Sequence, residues 1–72
     1  MKQSKDALHK YLERALKEYL EGKKTQRAII GDIQATAIRG KELATIFAGQ
    51  RSRGDAEKYD VAYRECETRG WL

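Results

Sequence analysis

The chain has 72 residues, a formal net charge of +4, one cysteine, one histidine and no proline. Such a length bounds it to one domain, residues 1–72, with a thin core, because a chain this short buries only about 60% of its unfolded surface. Cys66 has no partner for an internal disulfide, and with His9 it cannot supply the four ligands of a structural zinc.

The charged fraction is 36% and the apolar fraction 40%, a balance that suits a folded helical chain better than a disordered one. No run of about eighteen apolar residues is present, so no membrane partner is expected. Met1–Asp6 reads as the lead-in to a charged helix and not as a signal core. With the single cysteine this points to a reducing, cytoplasmic setting. Charge is unevenly placed. Residues 1–54 carry 12 Lys+Arg and 6 Asp+Glu, a net of +6, and residues 55–72 carry 3 and 5, a net of −2. An acidic C-terminal arm can dock on the basic body or on a neighbouring copy.

Leu8, Tyr11, Leu12, Ala15, Leu16, Tyr19 and Leu20 recur at three- and four-residue steps, which predicts an amphipathic helix over 4–21. Ser4 is its expected N-cap and Gly22 its C-terminal stop. Four i,i+4 pairs are expected on the outer face: Asp6–Lys10, Glu13–Lys17, Arg14–Glu18 and Lys17–Glu21.

Residues 25–50 hold Ile29, Ile30, Ile33, Ile38, Leu43, Ile46 and the only Phe, Phe47. Read as helix, Ile30, Ile33, Ala37, Gly40, Ala44 and Phe47 have the spacing of a coiled-coil seam. Gly31 and Gly40 each weaken a helix by about 1 kcal/mol relative to Ala, so a break near Arg39–Gly40 is expected, giving segments near 25–38 and 41–49. The competing reading is a β-hairpin turning at Gly31–Asp32. Poor alternation, with Ile29 beside Ile30 and Ala37 beside Ile38, favours helix.

Gly49–Gly54 is a basic turn. Asp55 is expected to cap a last helix with Tyr59, Ala62, Tyr63 and Cys66 as its apolar stripe. Gly70 is its C′ residue, and in a Schellman ending Trp71 returns onto Cys66. The fold class is therefore all-α, a small bundle of three to four short helices, with helix–β-hairpin–helix as the alternative.

Seven basic residues at three turns are the candidate polyanion- or partner-binding set: Lys23, Lys24 and Arg27, then Arg39 and Lys41, then Arg51 and Arg53. The competing reading is a set of solvated helix ends. No aromatic lies among them, so stacking on single strands is not encoded, and the helix-turn-helix spacing does not fit. Arg53-Gly54-Asp55 is explained by the turn and the cap and not by integrin recognition. His9 beside Glu13 lacks a nucleophile at a useful spacing. Cys66 reads as a small core residue. The four tyrosines, Tyr11, Tyr19, Tyr59 and Tyr63, fall on inward stripes and need partners for their hydroxyls at the core margin. Ile30, Ile33, Phe47, Tyr59 and Tyr63 form the candidate apolar interface.

No catalytic, metal or nucleotide motif is present. The first functional expectation is a non-enzymatic regulator or inhibitor, of the phage or plasmid accessory type, that occupies the surface of a partner protein. The alternatives are a basic nucleic-acid-binding module, dimeric or not, and a structural subunit of a larger assembly or homo-oligomer. No cofactor is expected.

Overall fold

The computed structural model describes residues 5–72, and the side chain of Lys5 lies outside that description together with the expected cap Ser4. Among the described residues there are four helices and no strand: α1 (Lys5–Leu20), α2 (Gln26–Thr36), α3 (Gly40–Gln50) and α4 (Ala56–Thr68). The hairpin alternative is thereby overturned. Ile29, Ile30 and Ile33 lie on one face of α2 and are all buried, a placement that a turn at Gly31–Asp32 would have scattered to both sides of a ribbon.

α1 is the central helix and packs against each of the other three. Leu12, Ala15, Leu16, Tyr19 and Leu20 face the core with Ile29, Ile30 and Ile33 of α2, Leu43, Ile46 and Phe47 of α3, and Ala62 and Cys66 of α4. Phe47 meets the Tyr59 and Tyr63 rings edge-on, with centroids 5.5 and 5.3 Å away. Such pairs add about 0.5–1.5 kcal/mol beyond their burial.

The helix ends follow local chemistry. Thr25 accepts from the Ala28 amide and caps α2. Asp55 accepts from the amides of Glu57 and Lys58 and caps α4. Both glycine stops are Schellman endings. At α1, Lys23 N donates to Glu18 O and Gly22 N to Tyr19 O. At α4, Trp71 N donates to Cys66 O at 2.9 Å and Gly70 N to Glu67 O at 3.0 Å, the pattern expected of that motif.

The break expected near Arg39–Gly40 is present, slightly earlier in the chain, between α2 and α3. The rod breaks at Ala37, which takes the left-handed conformation at φ 57°, so Ile30 and Ile33 belong to one helix and Phe47 to another. The carbonyl of Ile33 loses its helical partner there and is satisfied by Thr36 Oγ1 and by the Arg39 guanidinium. α3 has no side-chain cap. Its first amide, Gly40 N–H, donates to the carbonyl of Trp71 at 2.6 Å. The C-terminus thus caps a helix thirty residues earlier, and Trp71 is gripped between Arg39 and Arg69, with guanidinium carbons 4.3 and 5.2 Å from the ring centroid.

The α3–α4 turn sits against the end of α1. Asp55 N donates to Leu20 O at 3.2 Å. A Cβ on Gly54 would collide with the Leu20 carbonyl oxygen and lie 2.7 Å from its carbon and 2.9 Å from its Cβ. Gly54→Ala should therefore destabilise the protein by about 1–3 kcal/mol, as overpacking does. Gly31, inside α2 with open space around it, should give a gain of up to about 1 kcal/mol on replacement by Ala. Urea titration of the two variants tests these opposite signs.

Candidate functional site: a basic groove

The basic residues divide into engaged and free groups. Lys24 pairs with Asp32 and lies over the Tyr11 ring. The hydrogen bond to Asp32 holds its ammonium above the usual lysine range. Arg39 bonds the carbonyls of Ile33 and Ile38 and stacks on Trp71. Both do structural work within the fold. Lys23 lies 3.4 Å from Glu21, and Arg51 lies over Tyr59 at 5.7 Å. Arg27, Lys41 and Arg53 are exposed and make no ion pair among the described residues.

Arg27 borders a recess of about 460 Å³, beside Ile30, Glu65 and Arg69. There Arg69 is already taken by Glu65 at 2.8 Å and by Trp71, which leaves one free cation and weak attraction for an anion.

Arg53 has better company. It joins Lys10, Arg14 and Lys17 of α1, with Glu13 and Gln50, around a shallow groove of about 300 Å³. All four cations are exposed and have no carboxylate partner among the described residues. Of the four pairs expected on α1, none closes. Glu13 turns instead to His9 Nε2 at 3.2 Å, and His9 Nδ1 lies 3.6 Å from Glu42 on α3. His9 is thus half-buried between two carboxylates and not merely an exposed helical residue. Lys10, Arg14 and Lys17 stand at i, i+4 and i+7, one stripe about 10.5 Å long. Arg53 is carried to that stripe by the Leu20–Asp55 contact. The three α1 residues were not among the expected basic set, because each has a carboxylate four residues away and its spacing reads as paired.

The candidate apolar interface goes largely into the core. Ile30, Ile33, Phe47 and Tyr59 are buried and Tyr63 is half-buried. Tyr11, expected inward, is 48% exposed, since it lies at the edge of the apolar arc, and its hydroxyl donates to Asp32. Tyr19 is buried and donates to the Lys58 carbonyl at 2.9 Å. No group of three metal-ligating side chains comes together among the described residues, nor is any helix there long and apolar enough to cross a membrane.

Comparison with known proteins finds no matching family model, no matching curated protein and no matching solved structure.

Cys66 is fully buried on α4, and burial pushes its thiol up to about 11, while burial also raises Tyr19 and Tyr59. These groups favour their neutral forms in the folded state. Their contribution is complete below the ordinary thiol value of 9.0 and is lost as pH climbs towards about 11. Denaturation midpoints should be flat with respect to these groups below pH 9 and fall above it. Iodoacetamide should label Cys66 at pH 8 only under unfolding conditions.

Proposed function

We propose that the protein binds the phosphate backbone of nucleic acid along the groove formed by α1 and the α3–α4 turn. The observation that carries this reading is the convergence of Lys10, Arg14, Lys17 and Arg53, four unpaired exposed cations on one face. Their ammonium and guanidinium groups are hydrated and free to exchange water for phosphate oxygens, with release of counterions as the driving force. Arg14 and Arg53 offer planar forks that suit phosphate bidentately, and the two lysines act as point charges. Gln50 adds a neutral donor and acceptor at the same edge.

The chemistry favours backbone contact without sequence readout. The face is one helix and one turn, and no aromatic side chain lines the groove to stack a base. The outer face of α4 carries Glu57, Asp60 and Glu67, which repel phosphate and make that helix a poor reader of a groove. Occupation of a partner protein's surface has less support. Among the described residues the large apolar side chains left exposed are Tyr11 on α1 and Val61 on α4, little material for the buried anchor that such interfaces use.

Four phosphate contacts correspond to a slope of log K against log salt of about −3.6 on duplex, or about a hundredfold weakening between 50 and 200 mM salt. Replacing Lys10, Arg14, Lys17 or Arg53 singly by Ala should lower the slope by about one unit each. Lys24→Ala and Arg39→Ala should leave the slope unchanged while lowering the denaturation midpoint. Fluorescence anisotropy with a labelled duplex across a salt series measures both sets. Absence of binding at 50 mM salt, or equal slopes for all variants, refutes the reading.

A further inference from the structure

A second charged helix face is left over by the proposed function. On α4 the side chains of Glu57, Asp60, Val61, Arg64 and Glu67 are exposed, Val61 to 43%. None of the four charged residues has an ion-pair partner among the described residues. Even Asp60 and Arg64, placed at i,i+4 on one helix, stay apart, whereas Glu65 and Arg69 close at 2.8 Å.

The order of signs along this face is specific. From Glu57 through Asp60 and Arg64 to Glu67 it runs negative, negative, positive, negative. The groove face of α1, read from its C-terminal end, runs Lys17, Arg14, Glu13, Lys10, which is positive, positive, negative, positive. The two are complementary at all four places when the helices lie antiparallel, with Glu13 shared between Arg64 of the other copy and its own His9. The α4 set spans about 15 Å and the α1 set about 10.5 Å, a difference that the flexible Lys and Arg stems take up. Val61 then rests on the aliphatic stems of the opposing basic side chains.

We propose that the outer face of α4 docks into the basic groove of a second copy of this chain. The inference rests on the groove's geometry and not on the nucleic-acid reading. The contact joins two different patches, so it is heterologous, and a pair keeps one free groove on one copy and one free α4 face on the other. Successive copies add head to tail into open chains instead of closing as a two-fold dimer. Exposed ion pairs are individually weak and screened, so the association is reversible, concentration-dependent and confined to low salt. Because the groove is shared, self-docking and phosphate binding exclude one another.

The test uses two charge-reversed variants, each kept only if its circular dichroism matches the wild type. Lys10→Glu/Lys17→Glu destroys the groove and keeps the acidic face. Glu57→Lys/Glu67→Lys does the reverse. Sedimentation equilibrium without nucleic acid should show wild-type mass rising above 8.3 kDa with concentration at about 10 mM salt, where the Debye length is about 30 Å. The mass should return to one chain at about 1 M salt, where that length is about 3 Å. Each variant alone should stay a single chain. Their equimolar mixture should associate, since the intact α4 face of one variant meets the intact groove of the other and the two reversed faces are complementary in turn. A wild type that keeps the mass of one chain up to roughly 1 mM, a value that sets the free energy of docking above about −4 kcal/mol, overturns the proposal. So does a mixture that fails to pair.

Discussion

The carbonyl oxygen of Leu20 is where the fold and the groove are joined. The Schellman ending at Gly22 occupies the carbonyls of Glu18 and Tyr19, and the Leu20 carbonyl accepts from the amide of Asp55. A buried or half-buried carbonyl needs a donor, and this donor arrives from a turn more than thirty residues away. It can arrive only because Gly54 has no side chain to block the approach. Asp55, once held, starts α4 by accepting the amides of Glu57 and Lys58. The same contact sets Arg53 beside Lys17 and Gln50. One backbone hydrogen bond therefore fixes the entry of the last helix and completes the basic face.

A second division follows from where cations meet backbone. Arg39 stands at the break between α2 and α3, where the carbonyls of Ile33 and Ile38 lie within reach of its guanidinium. The Trp71 ring covers it from the other side. A charge with two carbonyl acceptors and an aromatic face is already solvated by protein, and removing it leaves acceptors without donors. Lys24 is held comparably by Asp32 and Tyr11. Lys10, Arg14, Lys17 and Arg53 have no carboxylate partner among the described residues. Binding an anion costs them little in broken contacts, which is why a cluster of free cations says more about function than the count of basic residues.

Local rules made much of the fold legible. The apolar steps of α1, the Asp55 cap and both glycine stops depend on residues within one helical turn, and the structure has them as expected. The choice of helix over hairpin at Ile29–Ile33 was legible from the failed alternation. The break between α2 and α3 was legible from Gly40, but its position at Ala37 was not, because where α2 ends depends on Arg39 reaching back to Ile33 and on Trp71 reaching Gly40. The groove was concealed for a related reason. Lys10, Arg14 and Lys17 each have a carboxylate three or four residues away, and helix spacing reads them as paired. His9 and Glu42 draw Glu13 aside through the packing of α1 on α3, and no window of sequence contains that competition.

The thin core also explains why the complementary faces cannot satisfy each other within one molecule. α1 commits Leu12, Leu16 and Tyr19 to the interior, and α4 commits Tyr59, Ala62 and Cys66. Each helix turns its charged arc directly away from the apolar one. With both apolar arcs in the same small core, the charged arcs are held to the outside of the bundle. Bringing them together inside one chain would expose the side chains that hold the bundle together, at a cost of about 1.5–3 kcal/mol for each large one, against about 0.2–1 kcal/mol for each exposed ion pair gained. The attraction between the two faces is consequently left unsatisfied within one molecule.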